Sequence, residues 1–261
     1  MFRTLLARLG QGHRTMRYPE GPPPPLPERF RGRPLIDTAR CPTGCRECAD
    51  ACPTNAIDLA KGIDLGRCLF CTDCQDACPE GAIRYSGDHR LATSRRGDLV
   101  VAEGEELRLA GALEQRLRKL FGRSLKLRQV SAGGCNACEA DVNVLGTVGW
   151  DLGRFGIQFV ASPRHADGLL VTGCVSRNMD LALQKTWEAV PAPKIVIALG
   201  ACAISGGPFA GLPEQNDGVP GRLPVDLFIP GCPPHPLTIL DGLLRLLGRL
   251  ERDGRAPSAG S

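Results

Sequence analysis

The chain has 261 residues, of which 43% are hydrophobic and 23% charged, and a formal net charge of +4. This is the makeup of one large or two modest globular domains, and so small a charge on so long a chain gives no reason to expect a nucleic-acid partner. The 13 cysteines recur at regular spacings, no run approaches the roughly 18–20 apolar residues of a membrane span, and no apolar leader with a small-residue cleavage site is present, so the cysteines read as metal ligands in a reducing compartment.

Residues 1–37 open the chain. Phe2, Leu5, Leu6 and Leu9 fall at helical spacing on one face, and Arg3, Arg8 and Arg14 add positive charge with no acid before Glu20. A transit peptide, a helix docked on a partner, a helix on a membrane surface and a frayed basic terminus all fit this pattern. The following "GPPPPLPERF" at 21–30 is a proline-stiffened connector.

Residues 38–86 hold an internal duplication. "CRECADACPTNAIDL" at 45–59 and "CTDCQDACPEGAIRY" at 71–85 superpose with every cysteine matched. Neither copy is long enough to bury a core alone. Residues 87–124 form a polar linker, within which "EELRLAGALEQRLRKLFG" reads as an amphipathic helix.

From residue 125 to 252 the pattern changes. "LKLRQV", "IQFV", "GLLVTG", "KIVIALG" and "VDLFIPG" are short apolar runs that alternate with helical stretches such as "NMDLALQKTWEAV". This predicts a parallel sheet with helices on both faces, and "PLTILDGLLRLLGRLERD" reads as a closing amphipathic helix. Residues 253–261 are expected to be a disordered tail. Cys135 and Cys138 follow the first strand, Cys202 the fourth and Cys232 the fifth. The carboxyl ends of parallel strands share one edge, so these four thiolates should gather there around one cubane cluster. Gly133, Gly134, Gly200 and Gly231 flank them and let backbone N–H groups approach the sulfurs.

The duplicated segment resembles the bacterial two-cluster ferredoxins, whose run is C-x2-C-x2-C-x3-C-P. Here the copies read Cys41-x3-Cys45-x2-Cys48-x3-Cys52-Pro53 and Cys68-x2-Cys71-x2-Cys74-x3-Cys78-Pro79. The resemblance implies an α+β two-cluster domain. Cys41, Cys45, Cys48 and Cys78 would hold one 4Fe-4S cluster, and Cys68, Cys71, Cys74 and Cys52 the other, with Ile57 and Ile83 covering them. The first gap is one residue longer than in the family, which Gly44 can absorb. Two zinc sites are the alternative, disfavoured because zinc motifs rarely duplicate this pattern with its C-P ending.

"GGCNACEAD", "SPRHADGLLVTG", "ALGACAISGG" and "PGCPP" resemble the small subunit of nickel–iron hydrogenases and the related 20 kDa (B-type) subunit of respiratory complex I. The membrane-bound, energy-converting hydrogenases of the formate hydrogenlyase kind (group 4) are the closest in likeness. "FRGRPLID" before Cys41 resembles the ferredoxin-like subunit of the same complexes, so the chain looks like a fusion of two neighbouring subunits. The resemblance implies a flavodoxin-like α/β domain and three 4Fe-4S clusters that relay electrons to or from a large catalytic subunit. It also implies membrane-arm subunits and a redox donor or acceptor module as partners, and a peripheral place on the inner, cytoplasmic face of the cell membrane. It favours docking for the first helix. C-x-x-C at Cys135 is the hydrogenase form, where complex I subunits have adjacent cysteines. A quinone-reducing complex I relative and a free-standing ferredoxin-type carrier are the alternatives. Cys174 in "LLVTGCVSRN" is expected on the cluster edge, as a fifth thiol beside the third cluster, a redox-tuning ligand or a plain buried thiol, and Arg164 in "SPRHAD" is expected to hydrogen-bond near that cluster. Glu139 and Asp141 are candidates for a proton or substrate path, against a reading as acids favoured by a helix N-terminus. His165 beside Arg164 matches the same motif and is expected to hydrogen-bond near the cluster, Arg164 having the better claim, whereas His13, His89 and His235 show no ligand spacing.

Overall fold

The computed structural model describes residues 2–250 except His13, Glu114, Gly122 and Arg123. The expected tail and His13 therefore lie outside the described residues. Helix α1 (Phe2–Gln11) comes first, and none of its residues is buried. The connector then runs back across the molecule. Met16 donates its N–H to Gly149 O, and Arg154 reaches the carbonyls of Met16 and Tyr18 at 2.6 Å each.

The duplicated segment folds as an α+β unit. Strand β1 (Pro34–Ile36) and helix α2 (Glu47–Asp50) precede β2 (Ile57–Asp58) and β3 (Gly62–Asp64); α3 (Asp73–Asp76), β4 (Ile83–Tyr85) and β5 (Val100–Val101) follow. β1 pairs antiparallel with β4, bringing Ile36 opposite Ile83. The order β2-β3-β5 makes a second small antiparallel sheet. The unit thus reaches beyond 38–86 at both ends, because β3 and β4 each take a partner strand from outside that range. Gly44 sits at φ +79° with open space around its α-carbon, a turn that accommodates the extra residue of the first cysteine gap.

The expected helix over 105–122 is realised only as α4 (Gln115–Phe121). Upstream of it the chain is irregular, because tertiary partners take its backbone: Ala110 N–H bonds Ala92 O at 2.7 Å and Leu113 N–H bonds Leu246 O at 3.0 Å. Helical propensity yields to packing of this kind.

The second unit is a five-stranded parallel sheet. Its elements are β6 (Leu125–Ser131), α5 (Ala137–Val144), β7 (Ile157–Phe159), β8 (Gly168–Thr172), α6 (Arg177–Ala189), β9 (Ile195–Leu199), α7 (Ala201–Ser205), β10 (Leu227–Ile229) and α8 (Pro236–Leu246). The strand order is β10-β9-β8-β6-β7, the flavodoxin-like arrangement, with its switch of direction between β6 and β8. One face packs Leu125, Leu127, Ile197 and Leu227 against α8 and α5. The other packs Val130, Leu169, Val196 and Phe228 together with Leu65, Phe70 and Leu99 of the ferredoxin unit, so the two units share a core. The link continues at the sheet edge, where Thr93 exchanges backbone hydrogen bonds with Phe228 at 3.0 and 2.9 Å.

Every residue of α8 is buried. It is a core helix rather than one with a wet face, because its polar residues are paired internally. Arg245 Nε donates to Asp241 Oδ2 at 2.7 Å, and Tyr18 Oη donates to Asp241 Oδ1 at 3.0 Å. Taking one partner from such a buried pair typically costs about 3–5 kcal/mol, so this cluster fastens the connector to the second unit.

Candidate metal centres

The duplication reappears in the contacts. Ala56 N–H points at Cys52 Sγ and Ala82 N–H at Cys78 Sγ, both at 3.2 Å, the same bond at the same place in each copy. Phe70 N–H adds a third such bond, to Cys68 Sγ, at 3.3 Å. One cavity is lined by Cys41, Cys45, Cys48 and Cys78, with Ile83 on its wall. Another is lined by Cys52, Cys68, Cys71 and Cys74, with Ile57 on its wall. Cys48 and Cys74 pack with Ile83 between the two sets. Burial pushes the Cys68 thiol up to about 12. Tyr85 Oη lies 3.7 Å from Cys74 Sγ, and burial first, then the neighbouring cysteines, pushes its hydroxyl well above the usual range.

The third set is assembled by the sheet. Cys135 lies past the end of β6, Cys138 in α5, Cys202 in α7 and Cys232 past β10. The Cys138 thiol is raised by burial, then by Glu139, Cys202, Cys232 and Cys135 around it. Cys202 is pushed to about 12 by burial and by Cys232, Cys174 and Cys135. Cys135 and Cys232 are exposed, leaving this edge open to solvent on one side. Gly200, at φ +90°, has no room for a side chain: a β-carbon there would stand 2.7 Å from Cys138 Sγ.

These sets fit a multi-iron cluster better than a single ion. Four thiolates around one zinc stand only about 3.8 Å apart, given Zn–S bonds of about 2.3 Å. Among the described residues no three of His, Cys, Asp or Glu converge closely enough to hold one ion. Thiolates on the corners of a cube stand farther apart. Backbone N–H groups aimed at sulfur, and glycine where backbone meets thiol, are the surroundings such a cluster needs.

Cys174 is buried on the same edge, its Sγ–H 3.5 Å from Gly133 O. Arg164 and His165 are not brought there. They form an exposed turn before β8, whose neighbour Asp167 accepts from Lys126 N–H near the start of β6, so they sit toward the strands' amino ends, opposite the cysteines. Glu139 is buried and takes the Thr172 hydroxyl at 2.5 Å, tying α5 to β8. Burial raises its carboxyl, but hydrogen bonds from Ser131 and Thr172 outweigh that and leave it below the usual range. Asp141 lines a groove beside Cys232, and burial raises its carboxyl. His235 lines the same groove, its Nδ1 accepting from Leu237 N–H. His89 is buried beside Tyr18. Sequence reasoning overlooked Tyr85 and Arg31. Only the first left a trace, a tyrosine in the second copy where the first has leucine.

Comparison with known proteins follows the same division. Residues 40–82 match a 4Fe-4S dicluster domain, and residues 135–246 match the NADH ubiquinone oxidoreductase 20 kDa subunit. A probable membrane-bound hydrogenase subunit (mbhJ) of Pyrococcus furiosus is 42% identical over 148 residues, covering 57% of this chain and 88% of that protein. Formate hydrogenlyase subunit 7 of Escherichia coli is 42% identical over 57% of this chain; the match spans 58% of that protein's length. The B-type subunit of the NADH-quinone oxidoreductase from Heliobacterium modesticaldum is 38% identical over 48% of this chain and 71% of its own.

Proposed function

The chain belongs to the family of the NADH ubiquinone oxidoreductase 20 kDa subunit, preceded by a 4Fe-4S dicluster domain, and we propose that it is the electron-transfer subunit of an energy-converting, formate hydrogenlyase-like nickel–iron hydrogenase. A 4Fe-4S cluster in each of the three thiol sets would supply a one-electron carrier. The observation that carries the reading is the succession of the sets. Cys48 of the first packs against Cys74 of the second. The Cys232 thiol of the third is raised by burial, then by Cys135 and by Cys71 of the second. The protein's part is to fix these intervals and to tune each site through N–H donors and burial. The open edge at Cys135 and Cys232 is where a large catalytic subunit would cover the third set, which disfavours a free-standing carrier.

The C-x-x-C spacing at Cys135 supports the hydrogenase branch over a quinone-reducing relative. No described helix is long and apolar enough to cross a membrane. The exposed apolar face of α1 supports peripheral docking on a membrane arm at the inner face of the cell membrane. Purification of the complex under anaerobic conditions tests the reading. We expect a nickel-containing large subunit to co-purify, and about 12 iron and 12 acid-labile sulfide in this chain once it is separated from that subunit. About eight of each would remove the third set, and quinone reduction without nickel would move the chain to the other branch.

A further inference from the structure

We infer that Arg31 is a positioning residue at the junction of the second and third thiol sets, its guanidinium making both more ready to accept an electron. The inference rests on the reading of these sets as electron carriers. The connector is fastened on both sides of Arg31. Phe30 packs edge-on against His235 with ring centroids 5.3 Å apart, on the Cys232 side. Gly32 N–H bonds Ser86 O at 2.9 Å and Arg33 N–H bonds Asp88 O at 3.1 Å, on the ferredoxin side. Between them Arg31 Nη1 donates to Phe70 O at 2.8 Å and to Cys71 O at 3.4 Å. The same groove, about 300 Å³, is lined by Arg31, Phe70 and Cys232. A fixed cation therefore stands against the backbone of one set and in the groove that reaches the next.

Among the described residues no carboxylate lies within ion-pair distance of Arg31. Arg29, Asp141 and His235 share the groove; burial raises the Asp141 carboxyl and lowers the His235 imidazole. A positive charge beside thiolate-bound iron favours the reduced state, and so raises its midpoint potential. Arg31 is exposed, so the effect should weaken as salt shortens the Debye length from about 8 Å. Lysine would keep the charge; glutamine would keep a donor and lose the charge.

The test compares Arg31→Gln and Arg31→Lys in the full-length, iron-loaded chain by redox titration with paramagnetic resonance, the second set's signal being the one that Cys71→Ser removes. We expect Arg31→Gln to lower the second set's potential, and the third's by less, with a shift that shrinks as salt rises. Arg31→Lys should stay near the unsubstituted chain. Unchanged potentials in Arg31→Gln with full iron content would overturn the inference. So would equal, salt-independent drops in both variants, which would leave only the backbone clamp. If Arg31→Gln fails to hold iron, a loaded Arg31→Lys chain with unshifted potentials supports the charge, and loss of iron in both overturns it. Failure of the carrier reading itself would show first, as missing iron in the unsubstituted chain.

Discussion

Cys174 and Cys232 share the carboxyl edge of the sheet, yet their surroundings differ. Cys232 is exposed on one side while its thiol is sheltered among Cys135 and Cys71; Cys174 is buried and turned toward a backbone carbonyl. A ligand thiolate bonds iron directly, whereas a neighbouring thiol contributes only packing and a weak hydrogen bond. We predict that Cys232→Ser removes about four irons per chain, while Cys174→Ser leaves iron content unchanged and shifts only the third set's potential. Iron analysis with redox titration checks both, and the reverse result would name Cys174 as the ligand. The proximity of the thiols could be read in advance because their spacing is written in the chain, locally in the duplicated copies and through strand ends at the sheet edge. Arg31 and Tyr85 could not, since one serves carbonyl groups, which carry no sequence identity, and the other a sulfur brought near by folding. Arg164 misled because a residue before a strand was assigned to the edge that the strand only reaches afterwards.

At the level of elements, the strands were legible as apolar runs ending at glycine or small residues, and β6 to β10 lie where those runs do. The helices were less so. α8 carries the pattern of a surface helix but is wholly buried, because Asp241 and Arg245 satisfy each other. The run over 105–122 has helical spacing, but its first half is taken by Ala92 and Leu246. α1 shows its apolar face, with Phe2 74% and Leu9 79% exposed. Since α1 buries nothing within the chain, deletion of residues 1–12 should leave the melting temperature of the isolated protein unchanged and cost it membrane-arm association. A marked drop in melting temperature would mean that α1 packs on the chain after all; circular dichroism and co-purification give the two readings.

On the scale of the whole molecule, the two units are one folding problem. No proposed ligand is shared between them, but Leu65 and Leu99, both fully buried, belong to the same apolar cluster as Ile204 and Phe228. A chain truncated after residue 90 loses β5 and Leu99 and uncovers Leu65. We expect it to retain fewer than the about eight irons of an intact two-cluster unit and to unfold without a sharp transition. A full complement of iron in that fragment would show the shared core to be dispensable. The continuity of residues 87–124 has a further effect. Docking of the first unit on the second is intramolecular, at an effective concentration on the order of millimolar. Dilution separates the halves of a two-chain assembly, but here it leaves the first two thiol sets facing the third in a fixed one-to-one ratio at any expression level.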